Sequence, residues 1–181
     1  MAVANKQEFL TFIIGREHFA VEILRVQEIR GWEKPNPLPN VPHFVKGVVD
    51  LRGNIVPIID LRERFRLTAE YKTTTVVIVV HVITSQGERT VGLVVDAVSD
   101  VQTFDMDNLQ PPPDISTEVS SQFIIGLANL GSDEVKNAQD SAGRSLQSST
   151  SGMVVLVDID RLVNESLIEQ ISATDMPVGN G

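Results

Sequence analysis

Phe44-Val45-Lys46-Gly47-Val48-Val49-Asp50-Leu51, then Arg52-Gly53-Asn54, then Ile55-Val56-Pro57-Ile58-Ile59-Asp60-Leu61, reads as two short strands around a tight turn. β-Branched residues fill both runs, and Gly53-Asn54 supplies the turn chemistry between them. The stretch then returns further along the chain. Phe123-Ile124-Ile125-Gly126-Leu127-Ala128-Asn129-Leu130 matches its first run, and Met153-Val154-Val155-Leu156-Val157-Asp158-Ile159 matches its second. Upstream, Phe19-Ala20-Val21-Glu22-Ile23-x-x-Val26-x-Glu28-Ile29 matches Val91-Gly92-Leu93-Val94-Val95-x-x-Val98-x-Asp100-Val101. The offsets are 72, 79 and 98 residues, and the blocks keep their order. One block alone could be coincidence among valine-rich strands; three in register define an internal repeat.

Working outward, ten candidate strands emerge: Glu8–Ile14, His18–Ile23, Val26–Trp32, Val45–Leu51, Ile55–Ile59, Thr74–Ile83, Arg89–Val95, Val98–Phe104, Ile124–Leu130 and Met153–Val157. Helical signal is confined to a short piece over Leu61–Phe65 and a C-terminal amphipathic helix over about 158–171. In the latter Ile159, Leu162, Val163, Leu167, Ile168 and Ile171 recur at three- and four-residue intervals. Asp60 and Asp158 stand at equivalent strand-to-helix junctions and are expected to cap the free amides of the helices. Each half supplies about five short strands, and closing them into a small barrel removes exposed edges. Two barrels of ~70 residues would each have a marginal core alone, so they are expected to share one apolar centre.

The expected organisation is mainly β: one domain over 7–171, with subdomains at about 8–70 and 73–157 and flexible tails at 1–6 and 174–181. The jump in offset from 79 to 98 residues falls on the polar stretch 131–152, which has few large apolar residues and reads as an inserted loop. Pro35-Asn36-Pro37-Leu38-Pro39 is a stiff, extended connection.

Composition narrows the function classes. The 181 residues carry a net charge of −9, unlike the basic surfaces that bind nucleic-acid phosphates. There are no cysteines, so disulfide, thiol and Cys-ligated zinc chemistry is excluded. His18, His43 and His81 lie far apart, and aromatics make up only 5 %. The start lacks the apolar core of a signal peptide and no run is long enough to span a bilayer, so a cytoplasmic protein without membrane insertion is expected. No cofactor is expected.

Phe9-Leu10-x-Phe12 with the Phe19–Ile29 pattern, the Phe44–Arg62 stretch, Val91-Gly92-Leu93-Val94-Val95-Asp96-x-Val98-x-Asp100-Val101 and Gly126-Leu127 together resemble CheW-type chemotaxis coupling proteins. The resemblance runs over roughly 7–171, apart from the insertion, which in typical members is a brief turn. It implies two five-stranded SH3-like barrels. It also implies a non-enzymatic adaptor joining the cytoplasmic tips of chemoreceptors to the regulatory domain of the histidine kinase CheA, recruited to membrane-associated receptor arrays.

That resemblance ties Glu28 and Arg52, expected in one barrel, to the receptor-facing surface, although an exposed pair of this kind contributes only ~0–1 kcal/mol to stability. Val26, its repeat mate Val98, and Val101 are the accompanying apolar candidates for a groove that takes a helical hairpin; valines in strands are otherwise core residues. Gly47 and Gly126, also repeat mates, are implied to lie near kinase-binding edges, while their residue type points equally to a bulge or a close backbone approach. Trp32 reads as a packing anchor, and Lys46 and Lys72 as solubilising charge.

Two readings compete within signalling: a CheA regulatory domain, or the coupling half of a CheV-type protein. Both normally come attached to other domains, and the start at Met1 and short tail favour a free-standing adaptor. From other classes come a hydrolase using Asp60 and Asp158 as paired carboxylates and a barrel that binds a small ligand.

Overall fold

The computed structural model describes residues 5–65, 67–84, 87–111, 123–129 and 152–164. The strands are β1 (Lys6–Ile14), β2 (Glu17–Glu22), β3 (Val26–Gly31), β4 (Val45–Leu51), β5 (Asn54–Asp60), β6 (Val76–Thr84), β7 (Gly87–Val95), β8 (Ala97–Asp105), β9 (Ile124–Asn129) and β10 (Met153–Val157). The helix α1 (Leu61–Arg64) follows β5, and α2 (Ile159–Val163) follows β10. All ten expected strands are found, within a few residues of the expected bounds. The expected helix over 165–171, the insertion over 131–151 and the tail over 174–181 lie outside the described residues.

The strands form two five-stranded sheets, ordered β8-β1-β2-β10-β9 and β3-β6-β7-β5-β4. Substituting repeat mates converts one order into the other, down to the parallel pairings β2 with β10 and β7 with β5. The division at about 8–70 and 73–157 does not follow the sheets. The hairpin β1–β2 joins the three strands β8, β9 and β10, while β6–β7 joins β3, β4 and β5. Each half thus lends its first hairpin to the other. Local patterning specifies a hairpin but not which distant strands extend it, so a contiguous division was the simpler expectation.

Alternation along the strands explains why the exchange is stable. Ile78, Val80 and Val82 face a central cluster, whereas Val77 and Val79 face a second one with Val56, Ile58 and Val94. In the other sheet Val155 and Val157 face the centre, and Val154 and Leu156 pack with Phe9, Ala20, Phe104 and Ala128. Every strand of that sheet contributes to its own small core, as in a side-chain-filled barrel. Between the barrels the central cluster takes residues from both sheets, together with Phe123, Ile159, Leu162 and Val163. Phe12, Phe19, Phe65 and Phe123 stack in succession at centroid separations of 5.9, 5.3 and 5.6 Å, linking the halves.

Candidate functional site

The β4–β5 hairpin turns through Arg52 and Gly53, with Leu51 opposite Asn54. The turn therefore sits one residue earlier than the Gly53-Asn54 expected from sequence. Both central residues have positive φ, 55° at Arg52 and 87° at Gly53, as a two-residue type I′ connection requires. Asp50 supports the turn by accepting from the Gly53 amide at 2.8 Å. Asparagine, aspartate or glycine is the usual occupant of the first position, and an arginine there costs about 1 kcal/mol. The Arg52 side chain is 82 % exposed, yet its Nη2 donates to Glu28 Oε2 at 3.0 Å. Glu28, on β3, also accepts from Arg30 Nη1 at 3.3 Å. The expected Glu28–Arg52 pair is therefore present, anchored on a strand at one end and on a strained turn at the other.

The apolar candidates separate. Val26 and Val98 are partly buried against the central cluster, so their first role is packing. Val101 is 47 % exposed on β8, in the other sheet from Glu28 and Arg52. Ile29, the repeat mate of Val101, is 45 % exposed on β3 beside Glu28. It was not singled out from sequence because an isoleucine in a strand reads as core; its pairing with Val101 in the repeat was the available signal. β3 and β8 are edge strands of their sheets, and each carries an extra residue in its pairing, at Gln27 in β3 and between Val98 and Val101 in β8. Thr11 stabilises the β8 irregularity, its hydroxyl donating to the Asp100 carbonyl at 2.7 Å and accepting from the Asp100 amide at 3.0 Å.

Gly47 and Gly126 lie on the opposite edges, β4 and β9, each just after a bulge residue, Lys46 and Ile125. Asn36 pairs with Val48 and Gln110 with Leu127, so an extra segment covers each edge. A Cβ on Gly47 would stand 1.9 Å from the Asn36 carbonyl oxygen, and its φ is +136°. On Gly126 a Cβ would meet Leu109 Cβ at 3.0 Å. Bulge and close approach, one of the two readings from sequence, thus account for both glycines. Lys46 forms an ion pair with Glu63 of α1 and is not merely solubilising charge.

The two junction aspartates act as caps. Asp60 Oδ1 accepts from the Arg62 amide at 3.0 Å, and Asp158 Oδ1 from the Arg161 amide at 3.2 Å. Asp60 does more, and sequence did not announce it. It is fully buried and accepts from Arg62 Nε at 2.9 Å, Arg62 Nη2 at 2.8 Å and the Tyr71 hydroxyl at 2.9 Å. Arg62 is itself 1 % exposed and also reaches Asp96 at 2.9 Å and the Glu70 carbonyl at 2.6 Å. Burial alone would disfavour its charge, but the hydrogen bonds and charges of Asp60 and Asp96 outweigh that and raise its pKa. Tyr71 lies over the guanidinium at 4.8 Å and stacks on Trp32 at 4.3 Å. With its oxygens committed to a cap, a guanidinium and a phenol, Asp60 is a structural carboxylate.

Among the described residues no group of three His, Asp or Glu is placed to hold a metal ion, and no helix is long and apolar enough to cross a membrane. What the geometry offers is surface: two edge strands bearing Ile29 and Val101, a charged hairpin tip, and two covered, bulged edges.

Comparison with known proteins agrees with that description. A model of the CheW-like domain matches residues 8–167. The chain is 39 % identical to the chemotaxis protein CheW of Klebsiella aerogenes over 159 residues, covering 87 % of this chain and 82 % of that one. It is 40 % identical to the chemotaxis protein CheW of Rhizobium meliloti over 121 residues, 67 % of this chain and 76 % of the relative. The crystal structure of the scaffolding protein TtCheW from Thermoanaerobacter tengcongensis is similar with a TM-score of 0.65 at 24 % identity, covering 86 % of this chain and 91 % of that one. At that identity the likeness concerns the fold, two five-stranded barrel-like sheets. Taken with the family model that spans nearly the whole repeat, these matches place the chain in the CheW-like domain family.

Proposed function

We propose that this chain is a non-enzymatic chemotaxis scaffold that couples the cytoplasmic tips of chemoreceptors to the regulatory domain of a CheA-type histidine kinase. It would act in the cytoplasm, held at membrane-associated receptor arrays by its partners. Support comes from family membership and from a surface built to present side chains. The observation that carries the receptor side is Arg52, which occupies a left-handed turn position that glycine or asparagine would fill with less strain. Strain retained at an exposed charged residue points to a contact made outside the chain. Glu28 orients Arg52, while Ile29 and Val101 are the exposed apolar anchors on the two edge strands, with Val26 and Val98 packed beneath. The edges β4 and β9, shaped by Gly47 and Gly126, are assigned to the kinase.

The test is capture by an immobilised receptor-tip fragment. Arg52→Glu is expected to weaken capture on the order of tenfold, since it places like charges at Glu28 and removes the outward cation. Its circular dichroism and binding to the isolated kinase domain should stay unchanged. Unaltered capture by the variant would refute the assignment.

A further inference from the structure

The helix starts and the sheet crossovers are joined by two ion pairs of opposite polarity. In the first, Arg62 at the start of α1 meets Asp96 at 2.9 Å, and Asp96 lies where the chain crosses from β7 to β8. In the second, Asp160 at the start of α2 meets Arg25 at 2.8 Å, and Arg25 lies where the chain crosses from β2 to β3. Arg62 and Asp160 are repeat mates, 98 residues apart. At the crossovers the acid of the first pair and the base of the second stand at neighbouring rather than equivalent positions, since the 72-residue offset matches Asp96 to Leu24 and Arg25 to Ala97. A helix cap alone requires neither pair.

Each carboxylate has a further partner of the same kind. Asp96 Oδ2 accepts from the Gly15 amide at 2.6 Å, just past β1, and Asp160 Oδ1 accepts from the Ile83 amide at 2.7 Å, near the end of β6. Asn164 adds a bond to the Ile83 carbonyl at 2.8 Å. Both sites therefore tie a helix following one sheet, a crossover, and the end of a hairpin paired into a sheet. At the first, Gly15 follows a strand of one sheet while Arg62 follows a strand of the other. At the second, Ile83 and Asp160 are related in the same way. The pairs are also partly shielded, at 1 % and 35 % side-chain exposure for Arg62 and Asp96, and 24 % and 26 % for Arg25 and Asp160.

We propose that Arg25–Asp160 and Arg62–Asp96 are positioning pairs that set how the two sheets present β3 and β8 to a partner. Val26 begins β3 immediately after Arg25, and Ala97 begins β8 immediately after Asp96. This inference rests on the assignment of β3 and β8 to the receptor-facing surface. It adds Arg25, Asp96 and Asp160 as residues that act through those strands without touching the receptor.

The second pair permits a charge-reversal test, because the chain has no cysteine and accepts site-directed spin labels without background. Labels at Glu33→Cys and Thr103→Cys, both exposed, report the separation of the ends of β3 and β8. Arg25→Asp sets two carboxylates together and is expected to broaden the distance distribution and weaken binding to a receptor-tip fragment on the order of tenfold. Arg25→Asp combined with Asp160→Arg restores opposite charges, in the polarity of the first pair, and should recover part of the loss in both readouts, the remainder being the acceptor that the Ile83 amide loses. Should Arg25→Asp fail to fold, Asp160→Asn, which keeps an acceptor for Ile83, should broaden the distribution and weaken binding less. Unchanged distances in both single variants, or no recovery in the reversed pair, would overturn the proposal. A label distance that responds as expected in a protein whose parent never binds the receptor fragment would instead overturn the receptor-facing assignment.

Discussion

At the end of β5, Asp60 is fully buried and holds the cap of α1, the Arg62 guanidinium and the Tyr71 hydroxyl at once. At the end of β10, its repeat mate Asp158 has a side chain 36 % exposed and caps α2 while lying 3.7 Å from Arg161. The main chain treats the two alike: the Asp60 amide donates to the Phe44 carbonyl at 2.8 Å, and the Asp158 amide to the Phe123 carbonyl at 2.7 Å. Topology and caps have survived in both halves, while buried charge has concentrated in one. That half is also where the charged hairpin tip of Arg52 lies, in the same sheet as β5.

The sharpest way to break this comparison is to remove both aspartates in turn. Asp60→Ala strands a buried guanidinium and should cost about 3–5 kcal/mol, whereas Asp158→Ala loses one cap and should cost about 1 kcal/mol. Denaturant unfolding measures both, and equal losses would contradict the asymmetry. Next come the edge glycines. Gly47→Ala drives a Cβ into the Asn36 carbonyl and should cost about 2–4 kcal/mol, since it strains φ and disrupts the Asn36–Val48 pairing. Gly126→Ala needs its neighbours to give only a few tenths of an ångström and should cost about 1 kcal/mol. A reversed ranking in thermal unfolding would mean that the two edges are not built as described.

The smallest effect is a titration. Burial, followed by the charge and hydrogen bond of Asp60, pushes the Tyr71 hydroxyl well above its ordinary value. The folded pKa thus exceeds the unfolded one, so this contribution to stability is whole below pH about 10 and fades as pH rises beyond it. Because the chain has one tyrosine, tyrosinate absorbance reads the group directly. Its midpoint should lie higher in the native protein than in the denatured one, and coincident midpoints would contradict the buried network.

Much of this was legible in the residues. Valine and isoleucine runs bounded by glycine, proline and asparagine mark all ten strands, and spacing reveals the repeat and its two capping aspartates. Strand exchange was not legible, because a hairpin's pattern fits either set of three strands and only the parallel pairings β2 with β10 and β5 with β7 decide it. Arg62 escaped notice because arginine is normally exposed, and the groups that neutralise it, Asp96 and Asp60, sit 34 and 2 positions away. The positive φ of Arg52 depends on strand register, which the Gly-Asn pair suggested one residue too late. Of the candidate surface, Glu28 and Arg52 were identified as a pair, whereas Ile29 was hidden by its residue type.

The most direct test of the scaffold account is three-component co-sedimentation of receptor-tip fragments on vesicles, a CheA-type kinase and this chain, with kinase autophosphorylation followed in the pellet. The account predicts that the kinase sediments and is activated only when the chain is present, and that Arg52→Glu lowers both on the order of tenfold while still binding the kinase. Sedimentation and activation of the kinase to the same extent without the chain, or with the Arg52 variant, would contradict it.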